Sequence, residues 1–350
     1  MGRFLRFAAG TLSVLVALAA CGGGTGGAGT SAGEGEAAAT VRIGYFPNVT
    51  HAPAIIGIED GLFQEELGDE VNIETATFST GTEAVEALFA GAIDMSFVGP
   101  NPAINGYAQS NGEALRIVSG TTSGGASLVV APEITSVKDL AGKTLASPSL
   151  GNTQDVALRA WLADQGYETD LEGGGDVSIV PQENSQTLDL FQSGEIDGAW
   201  VPEPWATRLV LEGGGSVLVD ERDLWPQGEF VTTHLVVATE FLEQNPDVVQ
   251  GVLEGLVAAV DSANDDPAGA QATVNAGIEA ITGRPLTPET IEGAWQNLTF
   301  TVDPVADSLR ESAVDAEAVG LLDPVDLAGI YDLTLLNQVL TVMGRPEIAS

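Results

Sequence analysis

The chain has 350 residues, with 50 Asp and Glu against 12 Lys and Arg and a formal net charge of −38. So few bases exclude a phosphate-neutralising patch, and with it a nucleic-acid partner. The acid is spread along the chain and 44% of the residues are apolar, so the charge reads as the solvated surface of a folded protein.

Arg3, Arg6, the apolar run from Phe7 to Ala20 and the ending "LAAC" predict a secretory signal over residues 1–20. "LAAC" resembles a bacterial lipobox, which would make Cys21 a lipidated first residue. Residues 22–40, rich in Gly, Ala, Ser and Thr, cannot build a core and read with Cys21 as a flexible tether over 21–40. No later segment is apolar and long enough to span a bilayer. Cys21 is the only cysteine, so intrachain disulfides are excluded. Residues 41–350 suffice for two domains.

Beyond the tether, strands and helices alternate. "VRIGYF" (41–46) reads as a strand, "APAIIGIEDGLF" (52–63) as a helix and "VNIETATF" (71–78) as a strand. A helix at 82–91, a strand at 93–99, a helix at 101–110 and a strand at 115–121 follow. "LVVAP" and "KTLASPS" are strands, and a helix runs from about 153 to 165. A strand at 176–181, a helix at 185–195, a strand at 196–202 and the helix "EPWATRLVLEGG" complete this part. A strand opening at 230 and a long helical region, 246–350, close the chain. This is an α/β pattern of open sheets flanked by helices.

The chain also echoes itself. "ALFAGAIDMSFVGPNPA" in the first half matches "DLFQSGEIDGAWVPEPWA" in the second. Both read helix, glycine turn, Ile-Asp, strand, then a proline-rich loop, which predicts two similar lobes. We expect residues 41–122 with 229–350 in one lobe and 123–228 in the other. The crossings near 121–128 and 226–234 carry Gly124, Gly125 and Gly228, residues suited to a two-strand hinge.

The stretch "PSLGNTQDVALRAWL" (148–162) is a strand-loop-helix unit. Asn152 or Thr153 can cap the helix, and Asp155 stands where a capping-box acid would. Such a helix start aims free amides and a positive dipole end at the crevice beyond the strand. An ordinary well-capped turn has the same pattern, so the motif by itself leaves both readings open.

Together the lipobox, "IGYFPNVTHAPA", "LFAGAIDMSFVGPNPAI", "LGNTQDVALRAWL", "GAWVPEPWATRL" and "DERDLWP…FVTTHL" resemble the periplasmic-type solute-binding lipoproteins of ABC importers. The branch is that of the aliphatic sulfonate, taurine and nitrate binders, related to binders of pyrimidine precursors. The resemblance covers about 41–250 well and the helical tail loosely. It implies a two-lobed periplasmic-binding-protein type II fold, each lobe an open mixed sheet with flanking helices. It implies a ligand held in the cleft by the mouth loops, a permease and an ATPase as partners, an extracytoplasmic membrane-anchored location and a monomer.

The corresponding candidates are Asn48, His51, Ser79, Thr80, Thr82, Gly99, Asn101, Gly124, Gly125, Asn152, Thr153, Gln154, Trp200, Glu203, Trp205, Thr233 and His234. These loops contain no Lys or Arg. An anion would therefore be held by backbone amides, helix starts and hydroxyls, which suits a weakly basic sulfonate, nitrate or sulfate. Glu203, beside Trp200 and Trp205, has two readings: a receptor for an amine or amino-heterocycle, or a first-turn acid complementing a helix dipole. His51 is a donor to the ligand or a structural histidine, and the tryptophans are cleft or core. The related fold also carries pyrimidine and menaquinone-precursor synthases, and a surface sensor or adhesin is a third reading. No nucleophile motif and no metal spacing for His51 and His234 supports catalysis, so no cofactor or metal is expected.

Overall fold

The computed structural model describes residues 39–350. The predicted signal, Cys21 and residues 22–38 of the tether lie outside the described residues, while Ala39 and Thr40 already belong to the first strand. The strands are β1 (Ala39–Tyr45), β2 (Val71–Thr77), β3 (Met95–Val98), β4 (Leu115–Gly124), β5 (Ala126–Val130), β6 (Thr144–Ser147), β7 (Ser178–Pro181), β8 (Gly198–Pro202), β9 (Ser216–Asp220), β10 (Val231–Ala238) and β11 (Leu298–Phe300).

They form two mixed sheets, of order β11-β4-β10-β3-β1-β2 and β7-β6-β8-β5-β9. In the first, β1 runs parallel to β2 and β3, and β10 runs antiparallel to β3 and β4. In the second, β6 runs parallel to β7 and β8, and β5 antiparallel to β8 and β9. Without the short edge strand β11 the two sheets have the same plan. The chain passes to the second sheet between Gly124 and Ala126 and returns between Asp220 and Val231.

Each sheet is buried on both faces. On β3, Met95 and Phe97 join one apolar cluster and Val98 another, the alternation a pleated strand requires. The first cluster packs the helices Ala52–Glu59, Pro246–Asp265 and Thr334–Val342; the second packs Pro100–Gln109 and Ala306–Ala318. In the second lobe, Leu158, Trp161 and Leu162 of helix Thr153–Asp164 cover one face, and Leu188, Phe191 and Leu209 cover the other.

The internal echo extends to individual hydrogen bonds. Gly91 and Gly194 both close a helix with positive φ, 65° and 73°, at the position where only glycine is unstrained. Each helix ends with the same pair of bonds: Ala92 N to Ala87 O and Gly91 N to Leu88 O, against Glu195 N to Leu190 O and Gly194 N to Phe191 O. The aspartate that follows then fastens the next strand to its neighbour. Asp94 accepts from Arg42 N at 2.8 Å and from the Arg42 guanidinium, and Asp197 accepts from Thr144 N at 2.8 Å and from Lys143 Nζ at 3.0 Å. Two of the chain's few bases are used in this way.

Three elements differ from expectation. The helix predicted over 52–63 is two helices, Ala52–Glu59 and Leu62–Leu67, because Gly61 takes φ +74°. Strand β9 was not predicted from "SVLVD", an edge strand without a buried residue. Nor was β11, three residues that lengthen the first sheet inside the helical tail.

Candidate functional site

The C-terminal ends of the parallel strands in both sheets meet at one small cavity of about 50 Å³. From the first lobe it is lined by Phe46, Asn48, Thr50 and His51 after β1, by Ser79, Thr80 and Gly81 after β2, and by Gly99 and Pro102 after β3. From the second come Pro148, Asn152, Thr153 and Gln154 after β6, Asn184 after β7, and Pro202 ending β8. Thr232 and Thr233, on the returning strand β10, complete it. There β10 shifts register against β4 twice between Val231 and His234, an irregularity of the kind that re-aims side chains beside a site.

In a chain of net charge −38, no Asp, Glu, Lys or Arg among the described residues lines this cavity. Its electrostatics come from helix starts instead. The helices Gly81–Phe89, Pro100–Gln109, Thr153–Asp164 and Asn184–Ser193 all begin at its wall. Each brings the positive end of its dipole and unpaired amides. Pro100 and Pro102 remove two amides from the second helix. The amides of Ser79 and Thr80 are engaged by Glu83 Oε2, at 3.2 and 3.3 Å, as part of a capping box. In helix Thr153–Asp164, Asn152 Oδ1 accepts from Asp155 N at 2.9 Å. The amides of Thr153 and Gln154 have no partner among the hydrogen bonds of the described residues.

Three buried side-chain atoms lining the cavity also lack a partner among the described residues: His51 Nε2, Thr153 Oγ1 and Asn184 Oδ1. Buried polar atoms without partners are uncommon and costly, and three at one small cavity make it the candidate site for a polar ligand group. His51 packs on Phe46, ring centroids 4.6 Å apart, and its Nδ1 lies 3.2 Å from Thr50 Oγ1. Burial pushes its pKa down to about 3, so the ring is neutral at pH 7. The Thr50 carbonyl accepts from Thr122 Oγ1 at 2.7 Å and Thr233 Oγ1 at 3.1 Å, which pins this loop to both crossing strands.

The lobes are closed on one another. A Cβ on Gly99 would stand 2.5 Å from Thr153 Oγ1, so a side chain there would crowd Thr153 across the lobes. Trp205 Nε1 donates to Asn48 Oδ1 at 3.0 Å, Asn105 Nδ2 to Gly151 O at 3.3 Å, and Asn297 Nδ2 to Glu203 Oε1 at 2.7 Å.

Of the predicted residues, Asn48, His51, Ser79, Thr80, Gly99, Asn152, Thr153, Gln154 and Thr233 line the cavity. Eight do not. Thr82 is exposed, one residue into its helix. Asn101 turns away and donates to Ser312 O at 3.2 Å. Gly124 and Gly125 form the crossing, both with positive φ. Trp200 is fully buried in the second lobe's core, edge-on to Trp161, with its indole N–H donated to Glu221 at 2.7 Å. Trp205 bridges the lobes without lining the cavity, and the Arg208 guanidinium sits over its ring. His234 is buried against Pro304 O, at 3.1 Å, and Tyr331. Glu203 caps its own helix: Thr207 N and Oγ1 donate to it at 3.1 and 2.9 Å, and Asn297 holds it from the other lobe. Burial raises its pKa, and those three hydrogen bonds oppose the rise.

Beyond the predicted residues the cavity is lined by Phe46, Thr50, Gly81, Pro202 and Thr232, neighbours of predicted ones, and by Pro102, Pro148 and Asn184. The internal echo held the signal for Asn184: the loop after β7 is the counterpart of the loop after β2, which carries Ser79 to Gly81.

Comparison with known proteins agrees with this architecture. The model of the NMT1-like family matches residues 34–278. The taurine-binding periplasmic protein of Escherichia coli K12 is 27% identical over 223 residues, 63% of this chain and 66% of its own length, so the match spans just under two thirds of that relative. The putative aliphatic sulfonates-binding protein of Bacillus subtilis is 27% identical over 252 residues, 68% of each chain. Among solved structures, the nitrate-binding protein NrtA of Synechocystis superposes with a TM-score of 0.75 at 15% identity, over 88% of this chain and 89% of that one. The alkanesulfonate-binding protein SsuA of Xanthomonas axonopodis, bound to MOPS, gives 0.68 at 21% identity, over 84% and 98%. Both likenesses are of fold.

Proposed function

Because this chain belongs to the NMT1-like family, we propose that it is the extracytoplasmic solute-binding component of an ABC importer, capturing a small oxyanion of the sulfonate type between its lobes. The observation that carries this is the cavity's chemistry: neutral donors, four helix starts and unpartnered polar atoms, with no fixed charge in a strongly acidic protein. Sulfonate and nitrate oxygens are weak bases that neutral N–H and O–H groups satisfy without a counter-charge. The names of the taurine- and sulfonate-binding relatives support the same class.

Size narrows it. A cavity of about 50 Å³ holds one to two waters' worth of volume, at ~30 Å³ each in the liquid. In the closed form an oxyanion about the size of nitrate fits, and a sulfonate carrying a tail requires a wider cleft. Glu203 argues against an amine-selecting site, because its carboxylate is already held by Thr207 and Asn297. In this reading solute enters between open lobes, the two crossings bend at Gly124, Gly125 and Gly228, and the closed form is presented to a permease and its ATPase. The relatives' names are those of binding proteins, which favours capture over catalysis.

Calorimetry with nitrate, methanesulfonate, taurine and an aminopyrimidine tests the reading. One or more of the three oxyanions should bind and the aminopyrimidine should not; binding of the aminopyrimidine alone, or of none, overturns it. We also propose that a lipid on Cys21 anchors the protein to the membrane, on the strength of the lipobox-like "LAAC", and this is tested separately. Cys21→Ser should release the protein from the membrane fraction, and unchanged membrane association refutes lipidation.

A further inference from the structure

Directly behind the cavity wall lies a buried ion pair that touches nothing in the cavity. Asp155 stands in the first turn of helix Thr153–Asp164, next to Gln154, and is fully buried. Its carboxylate accepts from Ser147 Oγ at 2.6 Å and Gly151 N at 2.9 Å, the residues flanking the loop that carries Pro148 to the cavity. Arg159, one turn on and 1% exposed, donates Nε to Asp155 Oδ2 at 3.0 Å and Nη1 to Asp170 O at 2.7 Å. Its Nη2 is buried without a partner.

This arrangement poses a problem of charge. The carboxylate shapes the loop, yet it places a negative charge beside the two free amides at Thr153 and Gln154. Buried like charges repel far more strongly than solvated ones. With no cation lining the cavity, an uncompensated Asp155 would oppose any anion there. We infer that Arg159 is a positioning residue that cancels the charge of Asp155, so that the loop keeps its carboxylate brace while the cavity stays receptive to anions. This rests on the reading of the cavity as an anion site.

The test is calorimetry with nitrate and methanesulfonate on the parent, R159K, R159Q, D155N and the double variant D155N/R159Q, each checked for folding by circular dichroism. R159Q should bind about tenfold more weakly or worse, R159K should bind like the parent, and the double variant should recover most of the loss. D155N alone keeps a side-chain acceptor, removes the negative charge and leaves the positive charge of Arg159, so it should bind more tightly than the parent. A double variant as weak as R159Q, or a tenfold loss in D155N, makes the pair a mere brace and overturns the inference. If R159Q does not fold, D155N decides the matter alone, and an affinity no higher than the parent's then overturns the inference. A parent that binds neither anion defeats the reading of the cavity and the inference together, whereas a parent that binds and an R159Q that binds equally defeats the inference only.

Discussion

The two lobes share a strand plan and a helix-glycine-aspartate unit down to the hydrogen bond, yet they bring different chemistry to the cleft. In the first lobe the helix after β1, Ala52–Glu59, starts with apolar residues and Pro53, and the wall before it is Phe46, Asn48, Thr50 and His51. In the second, the helix after β6 starts with free amides and hides an aspartate–arginine pair behind them. The β3 and β8 counterparts differ likewise: Phe97 packs on Phe63 in an apolar core, while Trp200 needs an acceptor for its N–H and finds the buried Glu221. The shared plan fixes where loops meet. The side chains that differ decide that the loop after β1 supplies a ring wall and the loop after β6 supplies free amides.

The largest effect should come from the contact that joins the lobes. Gly99→Val would place a branched side chain where even a Cβ stands 2.5 Å from Thr153 Oγ1. Overpacking of this kind costs about 1–3 kcal/mol, so affinity should fall by about ten- to a hundredfold or more. Small-angle scattering with saturating ligand should show a larger radius of gyration than the parent's; an equally compact complex of parental affinity removes the claim that Gly99 permits closure.

Comparable in size is the difference in donors. Thr153→Ala deletes a hydroxyl with no partner in the protein, a hydrogen bond to a charged acceptor worth about 1.5–3 kcal/mol, or about ten- to a hundredfold. Thr80→Ala, in the other lobe, should act mainly on stability through its helix cap, by about 1 kcal/mol. If calorimetry finds the two equally damaging to affinity, the lobes do not divide the work as described.

Much of this was legible in the sequence because it depends on local pattern. The helix-glycine-Ile-Asp-strand units announce themselves through glycine placement and apolar periodicity, and so does the start of helix Thr153–Asp164. The unread parts depend on tertiary contact. Strand β9 has no buried residue to pattern it, and β11 is too short for any period. Glu203 was ambiguous because its partner Asn297 lies 94 residues away. For Trp200 the sequence leaves cleft and core open, since a proline-rich loop follows it closely, and strand alternation turns it into the core. Asn184 was reachable only by carrying the duplication through to every loop.

Glu221 sharpens the contrast between Phe97 and Trp200. Complete burial raises its pKa to about 7, against the pull of its bonds to the indoles of Trp200 and Trp225. The folded protein therefore holds a proton that the unfolded chain gives up near the ordinary carboxylate value. The native state binds more protons between about pH 4.5 and 7, and stability from this group is lost as pH rises through that window. Glu221→Gln keeps an acceptor for Trp200 and removes the titration. Its stability relative to the parent should grow with pH across that window, by at most about 1.4 kcal/mol per unit, and level off above it. Urea unfolding at pH 5 and pH 8 checks this, and a pH-independent difference refutes it.

The smallest effect expected on binding is at Glu203. Its carboxylate touches Thr207 and Asn297 and lies outside the cavity lining, so it meets the ligand only through the closed state it helps to hold. Glu203→Gln keeps an oxygen acceptor for Thr207 or Asn297 but not for both in full. One weakened hydrogen bond across the lobes is worth about 0.5–1.5 kcal/mol, a few-fold in affinity. Because that loss falls on closure, it should be the same for taurine, whose amine is cationic, as for methanesulfonate, which has none. Calorimetry with that pair separates the two roles: an equal loss assigns Glu203 to the joint between the lobes, and a loss confined to taurine returns it to the ligand.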